Sequence, residues 1–209
     1  MNNQYEKLPK AFYSRGDVVE IAKDLLGKFL FSNIDGKLTG GRIVETEAYN
    51  GRTDKACHAY KKRTPRTEVI YQESGRAYVY LCYGIHHLFN IVTNEVGLAD
   101  AVLIRALEPI DGIDEMKKRR SKQSVERITA GPGILSQALG IKKEMTGEDL
   151  LGNTIWIASK NNDPIQIVAD VRIGVDYAGE DALLPWRFYI KDSNYVGKEK
   201  KKTPAESRG

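Results

Sequence analysis

Two carboxylates two residues apart, Glu45 and Glu47, stand in a β-branched stretch from Arg42 to Tyr49 that otherwise has the composition of a buried strand. Strand parity places Ile43, Glu45, Glu47 and Tyr49 on one side, with Val44, Thr46 and Ala48 on the other. Carboxylates are seldom buried without partners. Either that face is wet, or one carboxylate lines a pocket as a base. Tyr78, Tyr80 and Tyr83 pose a similar choice. They are core or amphipathic surface on one reading and platforms for nucleobases on the other, and basic segments flank them on both sides. These residues by themselves reach a nucleic-acid binder with an acid/base site.

Other chemistries find less support. The histidines are His58, His86 and His87. Neighbours on a strand point to opposite faces, so His86 and His87 are poorly placed to share an ion, and no zinc or calcium loop spacing occurs. Neither a metal nor a cofactor is expected. Cys57 and Cys82 are too few for a disulfide framework, and Cys82, inside an apolar strand, reads as a buried inert thiol. No glycine-rich phosphate loop opens a helix, which leaves nucleotide hydrolysis unsupported.

The net charge of +4 comes from 32 bases and 28 acids, unevenly laid out. Residues 52–76 carry seven bases and three acids, residues 115–127 six and two, and the tail from Ser193 five and two. Residues 142–181 reverse the balance, with four bases and eight acids. Basic segments converging on one face would suit a polyanion; scattered solvated charge is the plainer alternative.

The elements that must position these residues follow from periodicity. At 209 residues the chain is expected to form a single domain over 1–197 with a disordered basic tail over 198–209. No apolar run approaches the ~18 residues of a membrane span and the first residues are too polar for a secretory signal, so a cytoplasmic monomer is expected. Asp17 with Glu20 makes a capping-box-like start to a helix whose apolar face is Val18, Ile21, Ala22 and Leu25, stopped at Gly27. Further helices are expected over 111–120 and after Gly131-Pro132-Gly133. Strands are expected over 28–31, 42–49, 77–82, 88–93, 101–106, 154–158, 165–169, 171–175 and 187–191, with a long irregular basic segment over 50–75. Strands outnumber helices and connections are hairpin-like, which predicts an α+β domain with a largely antiparallel sheet.

In order along the chain stand Gly41 to Tyr49, His58, Thr64-Pro65-Arg66, Tyr78-Val79-Tyr80, Tyr83-Gly84, Asn90 and Leu103 to Pro109. Gly131-Pro132, Gln137-Ala138-Leu139, Arg172 to Val175 and Arg187-Phe188-Tyr189 continue the series. This arrangement resembles the alkyladenine (3-methyladenine) DNA glycosylase family, bacterial type, over roughly residues 26–196. The resemblance implies a curved antiparallel sheet with flanking helices and a protruding β-hairpin that enters DNA. It also implies hydrolysis of the N-glycosidic bond of alkylated or deaminated purines in double-stranded DNA, without metal or cofactor.

Residue by residue, the resemblance makes Glu47 the base that activates water, Arg105 and the backbone of Ile173 its partners in holding that water, and Tyr49, His58 and Tyr80 the slot for the extruded purine. Asn90 matches the residue that crowds the exocyclic amine of guanine, and Tyr83 the wedge left in the duplex. Arg63 and Arg66 are candidates for backbone phosphates. Glu45 has no assignment and reads as structural or solvated. Ile134 departs from the family, whose animal members carry a lysine there. No lysine matches a Schiff-base nucleophile, so strand cleavage is not expected. A damage-sensing module that flips bases without hydrolysis is the alternative, and a basic RNA-binding protein a third reading.

Overall fold

The computed structural model describes residues 4–60, 62–122, 124–160 and 164–197. The expected tail over 198–209 lies outside the described residues. In chain order the elements are β1 (Glu6–Lys7), α1 (Lys10–Tyr13), α2 (Val18–Asp24), β2 (Phe29–Ile34) and β3 (Lys37–Tyr49). β4 (Ala77–Cys82), β5 (His86–Thr93), β6 (Asp100–Asp111), α3 (Ile113–Arg120) and α4 (Pro132–Leu139) follow. The chain then adds β7 (Ile155–Ser159), β8 (Ile167–Asp170) and β9 (Arg187–Ile190). Among the described residues no helix is long and apolar enough to cross a membrane.

All strand pairs are antiparallel, in the order β1-β7-β2-β3-β6-β5-β4 with β8 and β9 branching off β3. The α+β class expected from the sequence is the one observed. β3 organises the sheet because it pairs on both edges. β6 runs along one edge, while β2 takes Lys37 to Arg42 and β9 takes Glu45 to Glu47 on the other. Gly41 is required there, since a Cβ would lie 2.3 Å from the Glu108 carbonyl oxygen.

Two irregularities in the β3–β6 ladder correct the parity read from the sequence. Ile43 pairs with Leu107 and Glu45 with Ala106, so Val44 is an extra residue on β3; Thr46 then pairs with Ile104, leaving Arg105 extra on β6. A bulge of one residue turns the side chains beyond it to the other face. Ile43 therefore joins Ala48 in the main core, and the Thr46 hydroxyl donates to the Ala22 carbonyl of α2 at 2.8 Å, while Glu45, Glu47 and Tyr49 stay together on the opposite face.

The main core fills the helix side of the sheet. Val79, Phe89, Ile91, Val102 and Ile104 alternate inward against Ile21 of α2, Leu25 at its C-cap, and Leu135 and Leu139 of α4. The Asp17 side chain caps α2 by accepting from the Val19 and Glu20 N–H groups, as the sequence predicts. The other face is covered by the long segment after β3, which contributes Cys57, Ala59, Val69 and Ile70 to a second core with Tyr78, Val92 and Ala101. That segment is irregular, apart from a short 3₁₀ turn over Glu68–Tyr71.

Three expectations need correction. Residues 171–175 form no strand, because their backbone and side chains bind the neighbouring site instead of a ladder. Asp111 ends β6 rather than opening a helix, and Gly112 at φ 70° makes the turn into α3. Cys82 lies at the end of β4, half-buried and not sealed in the core. The short β1 and α1 carry too little periodicity to be visible in the sequence.

Candidate active site

Register assembles the site from four strands. Glu47 of β3 pairs with Leu103 of β6, Leu103 with Asn90 of β5, and Asn90 with Tyr78 of β4. Directly opposed residues share a face, so these four side chains form one row. Tyr49, Ala101 and Val92 make the row on one side of it, and Leu88 with Tyr80 the row on the other. The segments bearing His58 and Ile173 close over this face. Between them lies a cavity of about 550 Å³ walled by Tyr49, His58, Tyr80, Asn90, Arg105 and Ile173. That is ample for a purine ring.

Glu47 is fully buried beneath this wall. Its Oε1 accepts the Ile173 N–H at 2.9 Å and lies 3.0 Å from Arg105 Nη1; its Oε2 accepts the Tyr49 hydroxyl at 2.6 Å. A carboxylate removed from water needs such donors to stay ionised. Burial opposes the Arg105 charge, yet Glu47 and Glu45 together hold its pKa above the ordinary guanidinium value. Burial, then the adjacent Glu47 charge, also raises the Tyr49 phenol well above its usual range, so Tyr49 is a donor to Glu47 and not a rival anion.

His58 meets the tyrosine walls edge to face, while Tyr78 and Tyr80 are tilted by 31°. His58 meets Tyr80 with ring centroids 4.6 Å apart at 77°, and Tyr78 lies 5.5 Å from Tyr80. His58 Nδ1 is 3.0 Å from the Tyr78 hydroxyl. Burial, and after it the Arg66 guanidinium, lowers the His58 pKa to about 4, so the imidazole is neutral near pH 7. A neutral ring does not repel a cationic guest. Asn90 is fixed by its own amide, whose Nδ2 donates to the Tyr78 and Leu88 carbonyls at 3.1 and 3.3 Å. Tyr83 stands at the β4–β5 turn, 90% exposed, with φ 51° followed by Gly84 at φ 73°. A left-handed backbone is costly for a ring-bearing residue.

A family model for methylpurine-DNA glycosylases matches residues 11–194. The chain belongs to the methylpurine-DNA glycosylase family. It is a DNA N-glycosylase. Relatives provisionally named 3-methyladenine DNA glycosylase include one from Desulfitobacterium hafniense, 46% identical over 91% of this chain and 98% of its own length. Another, from Carboxydothermus hydrogenoformans, is 47% identical over 92% of this chain and 99% of its own length, and one from Clostridium acetobutylicum is 44% identical over 93% and 99%.

Arg105, Ile173, Tyr49, His58, Tyr80 and Asn90 line one cavity of the glycosylase, and Glu47 lies behind its wall against Arg105. Ile173 meets Glu47 through its N–H. Arg63 and Arg66 part company. Arg63 makes a two-pronged contact with Glu68 at 2.6 and 2.8 Å and lies over Tyr71, away from the cavity. Arg66 stands at the cavity wall, 5.1 Å over the Tyr80 ring and 3.2 Å from His58 Nδ1. Ile134 is half-buried near the start of α4.

The sequence reading gave no role to Asp54, Arg172 and Arg187, and left Glu45 structural or solvated. Glu45 is neither solvated nor exposed: it is fully buried against Arg105 and Arg187. Asp54 and Arg172 form a buried ion pair, and the Arg172 guanidinium backs the Tyr49 ring at 4.8 Å. The one signal available for Arg172 and Arg187 is that each opens an apolar run, in Arg172-Ile173-Gly174-Val175 and in Arg187-Phe188-Tyr189. Charge there implies a buried partner.

Proposed function

We propose that this glycosylase extrudes alkylated or deaminated purines from duplex DNA, 3-methyladenine and 7-methylguanine with hypoxanthine and ethenoadenine beside them, and hydrolyses their N-glycosidic bond. Glu47 takes a proton from a water whose oxygen attacks C1′ of the sugar. The bond from C1′ to the purine breaks, its electron pair leaves with the base, and an abasic site remains. The observation that carries this reading is the buried, cation-bound Glu47 under an aromatic slot. Three of its roughly four acceptor positions are taken by Ile173, Arg105 and Tyr49, which leaves one for the proton of a water.

In this reading Arg105 and the Ile173 carbonyl hold the water, and Tyr49, His58 and Tyr80 sandwich the purine. Methylation at N3 or N7 gives the ring a positive charge, which electron-rich faces bind better than the neutral base. The same charge improves the leaving group. Asn90, immobilised by two carbonyls, crowds the exocyclic amine of guanine. Tyr83 on the β4–β5 hairpin fills the space the purine leaves, offsetting an extrusion cost of a few kcal/mol. Among the described residues no lysine lines the cavity, which supports glycosylase action without strand cleavage.

The test is release of free base from methylated duplex DNA, with Glu47→Gln alongside. Wild type should release 3-methyladenine and leave intact, alkali-labile strands; Glu47→Gln should bind the lesion and turn over about 10²- to 10⁴-fold more slowly, the usual worth of a general base. Unchanged turnover would remove Glu47 from the mechanism. Tight lesion binding without release by wild type would favour a damage-sensing module.

A further inference from the structure

Glu45 is a buried ionisable group that this mechanism leaves unused. It has no exposed surface, yet it accepts two N–H hydrogen bonds and pairs with a second guanidinium. Arg105 Nε at 2.9 Å and Arg187 Nε at 3.0 Å face its Oε1, and the Gly197 backbone N–H donates to Oε2 at 2.7 Å. The partners come from β6, β9 and the segment that follows β9, so contacts spanning 60 and 152 residues converge on one carboxylate. Charge-assisted bonds of this kind are short and strong.

Arg105 is thereby held from two sides, Nε by Glu45 and Nη1 by Glu47 at 3.0 Å. A guanidinium is a rigid planar fork, so fixing its Nε edge fixes where its Nη atoms point. The buried cluster contains two carboxylates and two guanidiniums, and its formal charges cancel. Without Glu45, the Arg105 and Arg187 charges would face each other with one anion between them in a space closed to water.

We infer that Glu45 is a positioning residue for hydrolysis: by gripping Arg105 and Arg187 it sets the guanidinium edge presented to Glu47 and the attacking water, and the C-terminal segment fastens it through Gly197. This rests on Glu47 being the base. Glu45 touches neither purine nor sugar, so its loss should slow the chemical step and leave the aromatic slot intact.

Rate set against affinity separates positioning from general support. Facing Glu47 are Arg105 from β6, Arg172 behind Tyr49, Tyr49 itself and Tyr80 from β4. Facing Glu45 are Arg105, Arg187 and the backbone of Tyr189 across the ladder, with Asp170 of β8 3.5 Å from Arg187. Arginines keep their charge in proteins, and burial pushes both Tyr49 and Tyr80 upward. Removing Glu45 frees the Nε edge of Arg105, so the guanidinium no longer meets Glu47 and the water at a fixed angle.

The experiment is single-turnover excision of 3-methyladenine from a duplex, with lesion-duplex affinity measured in parallel, for wild type, Glu45→Gln, Glu45→Asp and Glu47→Gln. Glu45→Gln should lose about a hundredfold in rate, the scale of a misplaced catalytic group. Its affinity should be unchanged. Glu45→Asp keeps the charge but shortens the reach, so it should be slow with unchanged affinity; it decides the matter where Glu45→Gln does not fold. A wild-type rate in either variant, or affinity falling in step with rate in both, would overturn the inference. Full activity in Glu47→Gln would instead overturn the base assignment, whatever the Glu45 variants do.

Discussion

Replacing Asp54 by alanine strands the Arg172 guanidinium. Both side chains are fully buried, and Asp54 accepts from both terminal nitrogens of Arg172, with Nη2 at 2.9 Å from Oδ1. The same carboxylate accepts the Ala56 N–H at 2.9 Å. After the change Arg172 keeps only the Ala48 and Asp181 carbonyls, each at 2.9 Å, which solvate its charge without neutralising it. Removing one partner of a buried pair costs about 3–5 kcal/mol. For a chain of this size each kcal/mol is about 2–4 °C in Tm, so the expected drop is about 6–20 °C. Thermal and urea unfolding followed by circular dichroism measure it. The double variant Asp54→Ala/Arg172→Met should recover much of the loss, because no charge is left without a counter-ion. Arg172 also backs Tyr49 at 4.8 Å, so Asp54→Ala should weaken lesion binding at temperatures where it is still folded. A stability loss below about 1 kcal/mol, the scale of an exposed pair, would refute the reasoning that this ion pair is desolvated and supports the Tyr49 wall.

His58 should remain neutral at pH 5.5 in an NMR titration, its pKa at about 4, and Arg66→Ala should raise that value; titration near 6.5 would contradict the buried setting. Because the folded value lies below the unfolded one, the unfolded state binds more protons between pH 6.5 and 4. The His58 contribution to stability is therefore complete above that window and declines as pH falls through it. Tyr83→Ala, at a 90% exposed turn residue, should shift stability by no more than about 0.5 kcal/mol. It should weaken lesion-duplex binding far more than single-strand binding, and equal losses on the two substrates would count against a wedge. Asn90→Ser should raise the release of undamaged guanine, measured by mass spectrometry of free bases; an unaltered guanine background would sink the steric account.

The helix at Val18–Asp24, the strand at Ala77–Cys82 and the shared face of Glu45, Glu47 and Tyr49 were legible because each depends on contacts within a few residues. A cap, an alternation and a turn are local, and their periods survive in the sequence. Residues 171–175 misled for the opposite reason. Their β-branched composition suits a strand, but the Ile173 N–H is bound to Glu47 and the Arg172 side chain to Asp54. A hydrogen bond to a distant side chain leaves no period to read.

The choice between a wet face and a buried base shows the same division. Parity placed Glu45 and Glu47 together, and the recognisable series of residues named Glu47 and its companions. Whether those carboxylates meet water depends on Arg105, Arg187, Ile173 and Gly197, supplied from up to 152 residues away. The Val44 and Arg105 bulges, which fix where the guanidinium stands, arise only when β3 and β6 pair. Residue types and local spacing determined which groups were available for chemistry. Their burial and charge balance were decided by tertiary structure, because desolvation and ion pairing belong to the assembled neighbourhood and not to any segment of the chain.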